Sequence, residues 1–363
     1  MIINPFDACP CCDLHNLVVL ADAAVAKKLA VSELAQMARS EERLRSLLLN
    51  RWRGFAERAS TAAGKAFGSG VVAARKAIDV EMRKFPKDVE KSVRREIQET
   101  YTQARNGGFR KATKQTKASL QYTVPNFSGE LGGEASVEKA LQLIEKAKPR
   151  KKPRTAATLP SLDLEDGRAI ADLGDDTMVW IGRHYEENVR ETVREAVKPG
   201  VAEGLGRVEA GKQVADVVRS QLDKVTVPGG FNGTAAKYFE GLAANTSTNS
   251  RVRGQIRSFV DAEIETYVLT NPNDNRTSPI CRHVDGKRFT IGAGTTQIER
   301  QMSAQSPADL RALHPWLPLA EILKISPVAG HVSAADSRAL ASRGLALPPF
   351  HFRCRTTVDV WFG

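Results

Sequence analysis

One stretch of the chain constrains most of what it can fold into. Between residues 34 and 66, Leu34, Met37, Leu44, Leu48, Trp52, Phe55, Ala59 and Ala66 recur at three- and four-residue spacing, with the turn at Glu41 as the one interruption. Arg39, Glu42, Arg43, Arg45, Arg53 and Arg58 mostly fall elsewhere. That period predicts a long amphipathic helix or a helix pair. Gly68-Ser69-Gly70 breaks the pattern. A further helix is expected to start near Pro86, because proline suits a first turn. Its stripe is Val89, Val93, Ile97 and Tyr101, and Gly107-Gly108 should end it. Upstream, Pro5 and Pro10 argue that residues 1–13 form an irregular arm. A helical pattern follows from Leu14 to about Leu29.

Residues 109–160 change character. "FRKATKQTKASLQ" is basic and polar, "NFSGELGGEAS" is glycine-rich, and "KAKPRKKPRTAATLP" combines prolines with like charges. Both properties oppose compaction, so 146–160 is expected to be an exposed linker after a helical region over 14–145. A second helical block is expected over 161–268, with Asp175 or Asp176 as a helix cap and Pro199-Gly200 as a stop. "GKQVADVVRSQLDKV" and "TAAKYFEGLAA" are helical in pattern, with "VPGGFNG" as a turn between them. "TYVLT", "KRFTI" and "RTTVDVWF" have strand composition. The fold class predicted is mainly α, with a small α+β module over 269–363.

Charge narrows the function. The 363 residues carry a formal charge of +11, which favours a polyanionic partner, most often nucleic acid. No apolar run reaches the ~20 residues that span a bilayer, so no membrane role is expected. "LVVLADAAVA" is interrupted by Asp22 and follows an acidic, Cys-rich segment, which argues against a signal peptide. Five cysteines, an odd number, suit reduced thiols or metal ligands better than a disulfide scaffold.

Two islands stand apart from the helical patterns: "NPNDNRTSPICRHVDGKRF" at 271–289 and "PPFHFRCRTTVDVWFG" at 348–363. Asp274, Arg276, Thr277, Pro279, Cys281, Asp285, Gly286 and Phe289 in the first, with Pro348, Pro349, His351, Cys354 and Arg355 in the second, carry a resemblance. Together, and in this order, they resemble the C-terminal module of the phage Mu F-type head morphogenesis (minor head) proteins. The helical stretch 200–268 fits the usual lead-in of that family. Many members carry two further cysteines, at the positions held here by Ser278 and Thr356. The resemblance implies a minor head protein of a tailed phage or prophage, found inside the capsid near the portal and in the host cytoplasm during assembly. It implies contacts with portal, capsid or scaffold components and with phage DNA. It implies no catalytic step and no small-molecule substrate.

Read as chemistry, Cys281 and His283 with His351 and Cys354 form a Cys₂His₂ set suited to a structural zinc ion. Packing of the two cysteines without metal, or a Cys281–Cys354 disulfide, are the alternatives. A metal nuclease or toxin-like enzyme would draw on His283, Asp285, His314, His331 and His351. No adjacent His-His or Asp-His pair supplies both base and ligand for it. Cys9, Cys11, Cys12 and His15 lie close enough in sequence to take a soft metal, or to serve as a thiol-rich docking arm. Lys148, Arg150, Lys151, Lys152 and Arg154 are candidates for phosphate neutralisation, salt-dependent and blind to sequence. A DNA-binding protein with no virion role is the remaining alternative.

Overall fold

The computed structural model describes residues 10–121, 161–178, 181, 207–227, 231–275, 277–304, 309, 312–313, 316–330 and 333–361. Two long helices open it. α1 (Pro10–Phe67) and α2 (Val71–Gln121) are joined by the Gly68–Gly70 turn, where Gly70 takes φ +103°. They pack as an antiparallel hairpin: Arg58 near the end of α1 bonds Glu81 and Asp88 early in α2, and Arg43 bonds Glu96. The stripe read from the sequence is the buried face. Met37, Leu44, Leu48, Trp52, Phe55 and Ala59 are all buried. Trp52 sits among Phe55, Phe85 and Phe239 at centroid distances of 4.8, 5.4 and 5.6 Å.

Four boundary expectations need correction. Asp175 and Asp176 lie within a helix over 164–178 and do not cap one. Pro10 does not belong to an irregular arm; the chain is helical from that residue, and a first-turn proline leaves no hydrogen bond unmade. Pro86 lies inside α2 and does not start it. Phe85 and Val89 beside it are buried against neighbouring helices, and this packing carries the helix through. Gly107-Gly108 does not end α2 either. A Cβ on Gly108 would sit 2.2 Å from Ser258 Oγ, so the missing side chain serves close helix packing and not termination.

Residues 164–178 form helix α3, followed by α4 (Arg207–Leu222) and a hairpin of β1 (Lys224–Val227) with β2 (Phe231–Thr234). α4 crosses α1 at Gly64 and Gly211, where a Cβ on either would meet the other's carbonyl oxygen at 2.6 Å. Thr234 then caps α5 (Ala235–Asp261), the central helix, with its hydroxyl accepting from Lys237 N. Tyr238, Phe239 and Leu242 of α5 join a core with α1, α2, Leu173 of α3 and Val214 of α4. Val252, Ile256 and Phe259 of the same helix join a second core with the C-terminal elements. The expected linker at 146–160 lies outside the described residues.

The second core is closed by a small antiparallel sheet. β3 (Thr266–Thr270) runs between β4 (Arg288–Thr290) and β5 (Thr357–Trp361), giving the order β4-β3-β5. All three strands fall within the segments assigned from composition. Short helices complete the unit: α6 (Pro279–Val284), α7 (Ile291–Met302), α8 (Leu319–Ile325) and α9 (Ala334–Ser342). The chain is therefore mainly helical with a small α+β C-terminal module, as its sequence predicts.

Candidate metal centre

The first island leaves β3 at Asn271 and is wound tightly by its own polar side chains. Asp285 accepts from Asn271 N at 2.8 Å and from Asn273 Nδ2 at 2.8 Å. Asn271 Nδ2 donates to Cys281 O at 2.7 Å. Ser278 caps α6, its Oγ accepting from Cys281 N, with Pro279 in the first turn. Gly286 at φ +76° turns the chain back, its N–H bonding Leu269 O, and delivers Phe289 to stack on Tyr267. Only glycine takes that backbone conformation at little cost. Arg276 lies outside the described residues.

The second island docks on α5 before entering β5. Arg353 N donates to Asn245 Oδ1, and Thr248 Oγ1 donates to Cys354 O at 2.8 Å. It also meets the first island directly. Arg355 grips Asp274 with two bonds of 2.6 and 3.0 Å, the forked geometry that suits a guanidinium and a carboxylate. Thr356 Oγ1 lies 2.6 Å from Asn271 Oδ1 and 3.2 Å from Cys281 Sγ.

At this meeting point Cys281, His351 and Cys354 converge, their ligand atoms all within 4.8 Å of one another. Cys281 Sγ is 3.0 Å from His351 Nε2 and 3.7 Å from Cys354 Sγ. Both cysteines are buried and unbridged. His351 Nδ1 lies 2.8 Å from Phe352 O. A carbonyl can only accept, so Nδ1 carries the proton and Nε2 is turned toward the thiols with its lone pair free when the ring is neutral. Ser278 Oγ also reaches Nε2, at 2.8 Å.

Electrostatics separate the two thiols. The Cys354 hydrogen bond, with help from His351, outweighs burial and pulls Cys281 down to about 4. Burial, and then the neighbouring Cys281, push Cys354 well above its usual value. Burial disfavours a charged His351, yet its bond to Cys281 prevails and its pKa is raised. The charged forms of Cys281 and His351 thus favour each other, while Cys354 is held toward its neutral form. With the protons of His351 Nε2 and Cys354 displaced to solvent, the group can bind a soft or borderline cation.

His283, expected as the fourth ligand, is not part of the group. Its Nε2 donates to Ser326 O at 2.8 Å. Cys281 and His283 are two apart on helix α6, and two residues turn a helix by about 200°, so they face opposite ways. Lys287, missed in the sequence, is also fully buried and holds the same segment, with Nζ bonding Ser326 Oγ at 2.9 Å and Val328 O at 2.7 Å. Its place beside an Asp-Gly turn reads as exposed, and no periodicity marks it. Ser278 and Thr356 are the other two residues whose part was not foreseen, although the resemblance, in which many members carry cysteine there, pointed to their positions. Both hydroxyls touch the cluster.

The remaining candidates do not join this site. Cys11, Cys12 and His15 fall on the first turns of α1, and their side chains, like Cys9, lie outside the described residues. Lys148, Arg150, Lys151, Lys152, Arg154, His314 and His331 lie outside them as well. Asp285 is engaged as a turn cap. Compared with known proteins, the chain matches no family model, no curated protein and no solved structure.

Proposed function

We propose that this chain is a minor head protein of a tailed phage or prophage, acting inside the head near the portal in assembly and DNA handling. The observation that carries the reading is the joining of the two islands on which the Mu F-type resemblance rests. They are far apart in sequence, yet Asp274 pairs with Arg355, Cys281 meets His351 and Cys354, and β3 pairs with β5. A paired motif arising by chance has no reason to assemble into one packed unit. Ser278 and Thr356, where many members of the family carry cysteine, touch the same cluster, which further supports the resemblance.

Within that reading the Cys281–His351–Cys354 group binds a structural zinc ion that ties one island to the other. Zinc–thiolate bonds of about 2.3 Å in a tetrahedral site put two sulfurs about 3.8 Å apart, and the two thiols lie 3.7 Å apart. The backbone carbonyl on Nδ1 presents His351 as an Nε2 ligand. Three protein ligands are one short of the closed set usual for a structural site, so water would have to complete the coordination.

Quantitative mass spectrometry of gradient-purified particles and proheads, normalised to portal, tests the role. A few copies per particle are expected. Absence from both particle types overturns it. Elemental analysis of the reduced, purified protein tests the metal independently; zinc near one equivalent is expected, and a value near zero rejects the site.

A further inference from the structure

The linker is not the chain's only concentration of positive charge. Along α2, Lys76, Arg83, Lys87 and Lys91 are all exposed. Their spacing of seven, four and four residues keeps them on one side of a helix. The opposite side carries Ala74, Ile78, Phe85, Val89 and Val93, all buried. The helix is thus anchored by one face and shows a basic ridge on the other. From Lys76 to Lys91 that ridge is about 22 Å long, at ~1.5 Å per residue.

Helices rich in both signs of charge usually neutralise themselves, and this one does so mainly with cations other than these four. Glu81 bonds Arg58 and Lys84, Asp88 bonds Arg58, Glu90 bonds Arg94, and Glu96 bonds Arg43. Those pairs use four of the five carboxylates between Lys76 and Glu96, leaving Asp79. None of the four ridge cations has an ion pair or side-chain hydrogen bond among the described residues. The ridge keeps most of its charge because four of the five acids are engaged with other cations, and Asp79 alone stands beside it.

We propose that this ridge is a binding surface for the phosphate backbone of double-stranded DNA. Duplex DNA carries one negative charge per ~1.7 Å of axis with both strands counted, so the stretch spanned by the ridge offers more phosphates than its four cations can neutralise. Exposed residues on the ridge include Val72 and Val80 but no aromatic side chain, so base stacking, the usual hold on single strands, has no platform. Binding is therefore sequence-blind and weakens steeply with salt. The inference builds on DNA as a partner in the proposed function, and places contact on a folded helix in addition to the linker.

The test uses the full chain and a short duplex of arbitrary sequence, with affinity measured by fluorescence anisotropy across a salt series. Replacing Lys76, Arg83, Lys87 and Lys91 with Gln should lower affinity at least about tenfold and flatten the log–log salt slope by about 3 to 4. All four side chains are exposed, so unchanged circular dichroism is expected to confirm that the variant folds. A second variant, with Gln at Lys148, Arg150, Lys151, Lys152 and Arg154, should leave the ridge contribution in place. Wild-type binding that survives the ridge substitutions unchanged overturns the inference. So does a wild-type chain that ignores duplex DNA, or one that uses the ridge only on anionic lipid vesicles. Particle mass spectrometry decides the head-protein role separately, so either can fail without the other.

Discussion

At Asp176 two carboxylates share one cation while a third, Asp175, turns away to Arg94. Asp172 bonds Arg253, Asp175 lies next in the chain, and the Asp176 carboxylate stays 3.8 Å from Arg253 Nη2. Burial is the main cause that raises Asp176 from 3.8 to about 6, against the pull of Arg253. Below pH about 4 the carboxyl is protonated folded or unfolded and has no effect. Between about 4 and 6 the unfolded chain releases the proton while the fold retains it, so stability falls as pH rises, by at most ~1.4 kcal/mol per unit. Asp176→Asn is therefore expected to stabilise the protein by about 2 kcal/mol at neutral pH and by nothing near pH 4. Urea unfolding of both proteins across that range checks it, and a gain independent of pH would contradict the cause given. The proposed metal centre makes a second residue-scale prediction. Cys281→Ser and His351→Ala should each abolish stoichiometric zinc, whereas His283→Ala should retain it and loosen residues 326–330. Metal content and hydrogen exchange read the two effects. The Cys/His set was legible in the sequence down to three of its four members. The fourth failed because ligand spacing was judged along the chain, while α6 sets it around a helix.

The elements were most legible where periodicity alone decides them. The buried stripe of α1 and the Gly68–Gly70 turn follow from the spacing of apolar residues. Breaker residues misled, because proline and glycine mark helix ends only when no neighbour compensates. Pro86 is held inside α2 by packing, so Pro86→Ala restores a backbone hydrogen bond and should stabilise by about 1 kcal/mol or more in thermal melts. At Gly254 the opposite holds. A Cβ there would lie 2.5 Å from Tyr101 O on α2, and backbone cannot move aside as a side-chain tip does. Gly254→Ala is expected to cost about 2 to 3 kcal/mol through separation of α2 from α5. A melt unchanged from wild type would show that the two helices do not pack this closely.

Across the whole molecule, α2 and α5 run through both cores. α5 gives its first half to one and its second half to the other. Lys111 on α2 bonds Asp359 on β5. Arg105, buried on the same helix, is shared between Asp166 and Asp261. Neither core can dissolve without stripping a helix from its neighbour. Cys354→Ala should accordingly lower the unfolding midpoint of the N-terminal helices together with that of the C-terminal module, in one transition by circular dichroism and by Trp fluorescence. Two separated transitions would show that the cores are independent. Such long-range sharing leaves no local signature in the sequence, since each half of α5 reads as an ordinary helix.

The meeting of the two islands also has a consequence in time. Cys354 follows Cys281 by 73 positions. At synthesis rates of ~5–20 residues per second, the first island waits about 4 to 15 s on the ribosome for its counterpart. During that interval the nascent chain exposes a thiol, an unmatched Asp274 and the bare edge of β3. Any product that stops short of residue 348 keeps those features permanently. Closure of the junction therefore has to wait for synthesis of the second island, whatever the first has already folded into.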